Sequence, residues 1–346
     1  MLDPLARLRE EKIAYQFCGY SSLDRYFRVK EKGSLYISTD SSVISLAKAF
    51  DNLQFPGFPL EDVSIDSEDR RVVFRCVERF DRPPENPYTV LGLLYDPERD
   101  VFKDPLGIRT DLRSQTLSYT PDGGPSWVPL CEAAKLVSRY HYTTKGLEFQ
   151  WNPRGEIPPL SYQKDLLTAL LTARYPEKGL AFLNETGFLE PLWPELAVMT
   201  RIPHVKDYHP EGNVWEHTLE TLRYRKNPDF TLSLGLLLHD IGKADAEAVG
   251  ERRFDRHSEI GVGAAARFLR RLGFDARLIE DVVFLVRYHM MPAAIARLPE
   301  FRTEKVMESP LFPVLLELYR ADLSSLSPRI LVGTVEKRFS QNRRDE

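Results

Sequence analysis

Cysteine is scarce: Cys18, Cys76 and Cys131 are the three in 346 residues, odd in number, far apart and without a CxxC pair. A disulfide framework and a zinc ribbon are thereby excluded, and a reducing compartment is expected. Long apolar runs are missing as well. Nothing approaches the roughly 20 residues needed to span a bilayer, and the short stretch 234–238 suits a buried helix. The opening Met1-Leu2-Asp3-Pro4-Leu5-Ala6-Arg7 has neither the apolar segment nor the small-residue cleavage site of a signal peptide. These absences predict a cytoplasmic chain with no membrane partner. An excess of one charge is also lacking, since 47 Lys+Arg face 51 Asp+Glu for a net charge of −4. That excludes a binder working by bulk positive charge while leaving room for a local basic patch. With 42% hydrophobic and 28% charged residues the chain is not a disordered one, and its length admits two or three domains.

What is present changes character near residue 126. Ahead of it, β-rich runs at 13–18, 34–38, 71–77 and 88–95 are separated by Gly, Pro and Asp clusters. Between the second and third, residues 41–50 carry Val43, Leu46, Ala47 and Phe50 at helical spacing. An α+β head with a mixed sheet and helices is predicted over 1–125. From about Ser126 helical patterns follow one another, at 129–140, 161–173, 177–185 and onward to about 335. This predicts an all-α neck over 126–197, a helical domain over 198–330 and a basic tail over 331–346. The tail carries Lys337, Arg338, Arg343 and Arg344 and reads as a solvated terminus. Asn213 and Glu216 stand at capping-box spacing ahead of His217, and Gly242 and Gly273 read as stops after two helices.

Six of the seven histidines, His204, His209, His217, His239, His257 and His289, fall between residues 204 and 289, while His141 stands apart. Neutral imidazole is a nitrogen donor suited to transition metals. His239-Asp240 closes an intensely apolar helix, where an ionisable pair bears a large desolvation cost unless something compensates it. A divalent cation compensates both groups at once. His217 lies on the preceding helix, His257 starts the next, His289 ends the one after, and Asp322 sits inside a later helix. Successive antiparallel helices can bring these groups to one end of a bundle. Four His and two Asp suffice for two metals with Asp240 shared. Lys243, four positions after His239, has two open roles: capping the helix C-terminus, or meeting a phosphate oxygen.

His217, His239-Asp240 and Asp322 resemble the His…His-Asp…Asp signature of the HD phosphohydrolase superfamily, and His257 and His289 fit its extended two-metal form. The stretch Asp207-Tyr208-His209-Pro210-Glu211-Gly212-Asn213-Val214-Trp215-Glu216-His217 is similar to the HD domain of bacterial tRNA nucleotidyltransferases and poly(A) polymerases. Residues 179–196 resemble that family's helical neck; Tyr95-Asp96-Pro97 and Asp104-Pro105-Leu106-Gly107 resemble landmarks of its head.

The head departs from the family where its chemistry should lie. Nucleotidyl transfer needs paired carboxylates for Mg²⁺ on one strand, and Ser34 and Tyr36 stand in those positions. A Gly-Gly phosphate loop has become Cys18-Gly19-Tyr20-Ser21-Ser22. The family's Arg-Arg-Asp aligns with Glu85-Asn86-Pro87, and its base-reading Glu-Asp-x-x-Arg falls near Ser126 and Pro129. The resemblance thus implies a catalytically inactive head joined to a metal-dependent phosphohydrolase. Its expected substrate is a phosphomonoester or phosphodiester of a nucleotide or an RNA end. His217, His239, Asp240 and Asp322 would hold one divalent ion (Mn, Fe, Co, Ni or Mg), and His257, His289 and Asp240 a second. Asp240 and Lys243 would act in catalysis. The alternative is an RNA- or tRNA-binding protein of RNA processing without hydrolase activity.

Overall fold

A computed structural model of the chain describes residues 3–30, 33–67, 70–119, 125–149, 151–152, 154–203, 212–248 and 256–324. His204, His209 and the basic tail lie outside the described residues, as do residues 207–211 of the 207–217 stretch. The chain divides into two compact units, Met1–Pro158 and Pro159–Glu346.

The first unit holds helix α1 (Pro4–Glu10), strand β1 (Gln16–Phe17), α2 (Gly19–Phe27), β2 (Leu35–Thr39), α3 (Val43–Ala49), β3 (Val63–Asp66), β4 (Arg71–Cys76), β5 (Leu94–Asp96), β6 (Val101–Lys103), α4 (Arg109–Ser114) and α5 (Trp127–Tyr140). Its six-stranded mixed sheet has the order β3-β4-β2-β1-β5-β6, with β2 and β4 parallel and the other pairs antiparallel. Alternation along the strands sends Leu35, Ile37, Val63, Ile65, Val72 and Phe74 into one cluster with Leu8 of α1 and Leu46 and Ala49 of α3. Ser42 caps α3, its hydroxyl accepting from the Ser45 amide. Tyr36 belongs to the other sheet face: the Ser21 hydroxyl accepts from its amide at 2.8 Å, and its ring lies 5.7 Å from that of Tyr20.

Helix α5, read from the sequence as the first neck helix, packs inside this unit. Arg139 forks onto Asp24 of α2, with Nε to Oδ1 at 2.7 Å and a second bond of 2.5 Å to Oδ2, while the Tyr140 hydroxyl donates to Asp24 at 2.6 Å. The 88–95 run, expected as a strand, winds into a 3₁₀ turn at Thr89–Gly92 and is a strand only from Leu94. Val90, Leu91, Leu93 and Leu94 are all buried, and a continuous apolar run carries no period to tell a strand from a buried turn.

The second unit is helical among its described residues: α6 (Leu160–Thr172), α7 (Pro176–Glu185), α8 (Leu189–Leu192), α9 (Pro194–Ala197), α10 (Val214–Arg223), α11 (Phe230–Leu238), α12 (Lys243–Ala248), α13 (His257–Arg271), α14 (Ala276–Tyr288), α15 (Glu300–Met307) and α16 (Phe312–Ser324). The observed α+β first unit and helical remainder match the expected fold class. Helix α11 is the centre. Leu232, Leu234, Leu236, Leu237 and Leu238 are buried, and α6, α10, α14 and α16 surround it. Gly235 lets two neighbours come close: a Cβ there would lie 2.8 Å from Leu285 of α14 and 3.0 Å from Leu318 of α16. Asp229 and Asp275 cap α11 and α14 through the amides of Leu232 and Leu278. Helix α13 ends as expected at Gly273 (φ +77°), where the Phe274 amide reaches the Leu269 carbonyl and the Gly273 amide that of Arg270.

Arg225, just beyond α10, ties α10 to α6 and α11. Its guanidinium donates to the carbonyls of Leu171 and Ala173, two acceptors at the end of α6, and to the Ser233 hydroxyl at 2.5 Å. Arg225→Met is expected to lower unfolding stability by about 1–3 kcal/mol, the cost of hydrogen bonds to a charged donor, read as a lower urea midpoint with unchanged slope.

Candidate metal centre

The central helix explains why distant residues meet. His239 and Asp240 lie just past the end of α11, His289 just past the end of α14, His217 on α10, Asp322 on α16 and His257 at the first position of α13. Since α10, α14 and α16 all pack on α11, their ligating side chains collect at its C-terminal end. Asn213 sets the start of α10 by accepting the Glu216 amide at 2.9 Å.

The six candidate ligands and Lys243 are brought together, in two groups that share Asp240. On one side His217 Nε2 lies 3.0 Å from Asp322 Oδ1, 3.3 Å from His239 Nε2 and 3.7 Å from Asp240 Oδ2. His239 Nε2 is 3.3 Å from the same Asp240 oxygen and 3.8 Å from Asp322 Oδ1. On the other side His257 Nε2 and His289 Nε2 approach to 3.0 Å, and Asp240 Oδ1 lies 3.4 and 3.9 Å from them. Lys243 Nζ meets Asp240 Oδ2 at 2.6 Å. His141 lies in the first unit, at the end of α5.

Two backbone contacts, not visible in the sequence, orient the rings. His239 Nδ1 faces the Leu236 carbonyl at 2.8 Å and His289 Nδ1 the Val286 carbonyl at 2.7 Å. Each carbonyl is an orphan acceptor of a helix end, and a carbonyl can only accept, so Nδ1 carries the proton and Nε2 keeps its lone pair for the centre. Burial, followed by the neighbouring His239, pushes His289 down to about 4 against the pull of Asp240, so at neutral pH this ring is an uncharged donor. Burial alone would raise the carboxyl of Asp322, but the hydrogen bond from His217 and the nearby His239 hold it well below the usual carboxylate range. The centre is thus a buried cluster of imidazole nitrogens and carboxylate oxygens that face one another. Donors about 2.0–2.2 Å from a shared ion stand roughly 3.0–3.6 Å apart, and most of these separations fall there. Either group, His217–His239–Asp240 or Asp240–His257–His289, could hold a metal ion.

Gly242, expected as a helix stop, has a different task. It is not among the glycines with positive φ; a Cβ on it would lie 2.1 Å from the His257 carbonyl oxygen, so it is the close approach of α13 that requires glycine here.

Comparison with known proteins follows the same lines. The HD domain family model matches residues 214–324, the span that carries every residue of this centre. Residues 214–324 form an HD domain. The chain is 30% identical over 214 residues to a multifunctional CCA protein of Neisseria gonorrhoeae, covering 59% of this chain and 52% of the relative. To a multifunctional CCA protein of Halorhodospira halophila it is 28% identical over 200 residues, 54% of this chain and 48% of the relative. The chain spans about half the length of these curated relatives. In structure it is similar to the Bacillus stearothermophilus CCA-adding enzyme in complex with CTP, with TM-score 0.53 and 16% identity over 99% of this chain and 82% of that one; at this identity the likeness carries the fold alone. Among the described residues no helix is long and apolar enough to cross a membrane.

Proposed function

We propose that this chain is a metal-dependent phosphohydrolase whose HD domain hydrolyses a phosphomonoester or phosphodiester of a nucleotide or an RNA end, and whose head transfers no nucleotide. One observation carries the reading: the two oxygens of buried Asp240 each face a different pair of imidazoles. The donor set fits divalent ions of the Mn, Fe, Co and Ni type better than Mg, because imidazole nitrogen supplies four of its donors. His217, His239, Asp322 and Asp240 Oδ2 would hold one ion, and His257, His289 and Asp240 Oδ1 the other. Ions bound there would supply an acidified water and neutralise charge on the phosphoryl oxygens. The chain's own residues do the rest. The Leu236 and Val286 carbonyls fix two rings, the leucines of α11 exclude water from beneath the centre, and Lys243 offers an ammonium within reach of a phosphoryl oxygen.

Several features of the first unit support an inactive head. Tyr36 occupies a carboxylate position, and burial keeps its phenol well above its ordinary pKa and therefore neutral. Cations on its side of the sheet are engaged by carboxylates of the same unit: Arg71 meets Glu61 at 2.9 Å, Arg139 holds Asp24, and Lys135 pairs with Glu132, which also accepts the Tyr20 hydroxyl at 2.5 Å. An RNA end as substrate rests on the resemblance of the stretch ending in His217 to the HD domain of bacterial tRNA nucleotidyltransferases. We keep a head over 1–125, a neck over 126–197 and an HD domain over 198–330 as the proposed division of labour.

Manganese-loaded protein is expected to hydrolyse at least one of p-nitrophenyl phosphate, its bis ester and a 2′,3′-cyclic nucleotide, with turnover removed by EDTA and restored by Mn²⁺. Labelled CTP or ATP should not enter tRNA. Metal uptake without turnover on any ester, together with tRNA binding that survives His239→Ala, would favour the binding protein instead.

A further inference from the structure

The two halves of the centre are supported by different parts of the bundle, and this carries an inference that rests on the two-ion reading above. His217, His239 and Asp322 come from α10, the end of α11 and α16, which pack on one another. His289 comes from the end of α14, which packs on both α11 and α13, and His257 from α13, whose seat against the segment after Asp240 runs through two glycines. A Cβ on Gly242 would lie 2.1 Å from the His257 carbonyl oxygen, 2.5 Å from the Gly261 nitrogen and 2.8 Å from the Gly261 Cα. The backbone two residues after Asp240 therefore touches the first turn of α13 directly. Gly261, four residues after His257, lies on the same face of that helix. Its own missing Cβ would lie 3.1 Å from Val286 Cγ1 and 3.3 Å from the Gly242 nitrogen. Val286 in turn lends its carbonyl to His289 Nδ1 at 2.7 Å. Gly261 of α13 thus abuts both the segment after Asp240 and the residue that orients His289.

We propose that Gly261 is the positioning residue for the second ion: its bare Cα sets the distance between Asp240 Oδ1, His257 and His289, and plays no part in the first half of the centre. A methyl group there must push Val286 or the Gly242 backbone aside by a few tenths of an ångström. Metal–ligand distances tolerate only about 0.2 Å, so the second ion loses affinity while the first keeps its four donors. Displacing an orienting group of this kind typically lowers metal affinity ~10–100-fold.

The test measures Mn²⁺ stoichiometry by equilibrium dialysis and the Mn²⁺ spin-resonance spectrum of the full chain. Wild type should bind two ions and give an exchange-coupled spectrum. Gly261→Ala should retain one ion at wild-type affinity, bind the second ~10-fold or more weakly, and give the isolated six-line spectrum that His257→Ala also gives. Gly261→Ala with Val286→Ala, which removes the 3.1 Å neighbour, should recover coupled spectrum and second ion; a general loss of stability would not be repaired by deleting a buried side chain. The inference is overturned if Gly261→Ala binds both ions as wild type does, if it loses both together while melting as wild type, or if the double variant recovers nothing. Wild type binding fewer than two ions would overturn the two-ion reading and this inference with it, an outcome distinct from the other three.

Discussion

Asp240→Asn should empty both halves of the centre of metal and lower kcat/KM on the best ester by ~10³-fold or more, about 4 kcal/mol of transition-state stabilisation. No other residue of the set has this reach. Asp240 Oδ2 stands 3.3 Å from His239 and 3.7 Å from His217, and Oδ1 stands 3.4 Å from His257 and 3.9 Å from His289. Asparagine keeps the volume, but it removes the negative charge and turns one oxygen into an NH₂ group that cannot be a ligand. His257→Ala, by contrast, deletes one donor on one side only, and a bound ion should persist on the other. Asp240→Asn also takes away the carboxylate that Lys243 meets at 2.6 Å, so thermal melting must be recorded beside metal content. An Asn variant that melts normally, keeps two ions and turns over at the wild-type rate would remove the basis for the hydrolase. An Asn variant that loses one ion and keeps the other would show that the carboxylate does not bridge.

Much of this centre was legible because its chemistry is written in residue types. Histidine and aspartate beside an oily helix are conspicuous, and a helical period fixes which end of a helix each one reaches. Helix boundaries were legible for the same reason: 161–173 and 177–185 were expected and Leu160–Thr172 and Pro176–Glu185 observed. What escaped was carried by backbone. The carbonyls of Leu236 and Val286 orient two rings, and any residue offers a carbonyl. Gly242 reads in the sequence as a helix stop because glycine is common there; only the packing of α13 against it exposes the other reason for glycine. In the head, short strands left too little pattern. Val63–Asp66 and Val101–Lys103 are four and three residues long, below the length at which alternation can be recognised, and they owe their conformation to pairing with β4 and β5. Helix Gly19–Phe27 was hidden behind a glycine, tyrosine and two serines that suggested a loop, whereas Ser21 accepts the Tyr36 amide and Asp24 anchors α5.

Trp193→Ala is expected to produce the largest loss of stability in the second unit, about 3–5 kcal/mol, out of the 5–15 kcal/mol typical of a domain. The indole is fully buried between α6, α8 and α13. Its Nε1 donates to Gln163 of α6 at 3.0 Å, its ring meets Phe188 edge-on at 5.1 Å, and Phe268 of α13 lies 6.3 Å away. Around it Arg271 of α13 holds Glu195 at 2.7 Å and donates to the Leu192 carbonyl at 3.1 Å, a rim that keeps the surrounding backbone from collapsing into the space an alanine would leave. The cavity term should therefore be felt nearly in full. At roughly 2–4 °C per kcal/mol for a unit of this size, the melting temperature should fall on the order of 10 °C. Trp193→Phe separates the contributions: the ring's area is mostly kept, and the loss should approach the ~1 kcal/mol of a single hydrogen bond. Metal content of the folded Ala variant, measured well below its midpoint, should stay at the wild-type value, because Trp193 contacts α13 through Phe268, three turns from His257. A drop in melting temperature of less than about 3 °C would mean that α6 and α13 are held by other contacts than this one. A folded Ala variant lacking one ion would mean that tilting α13 as a whole, and not only the seat at Gly261, governs where His257 stands.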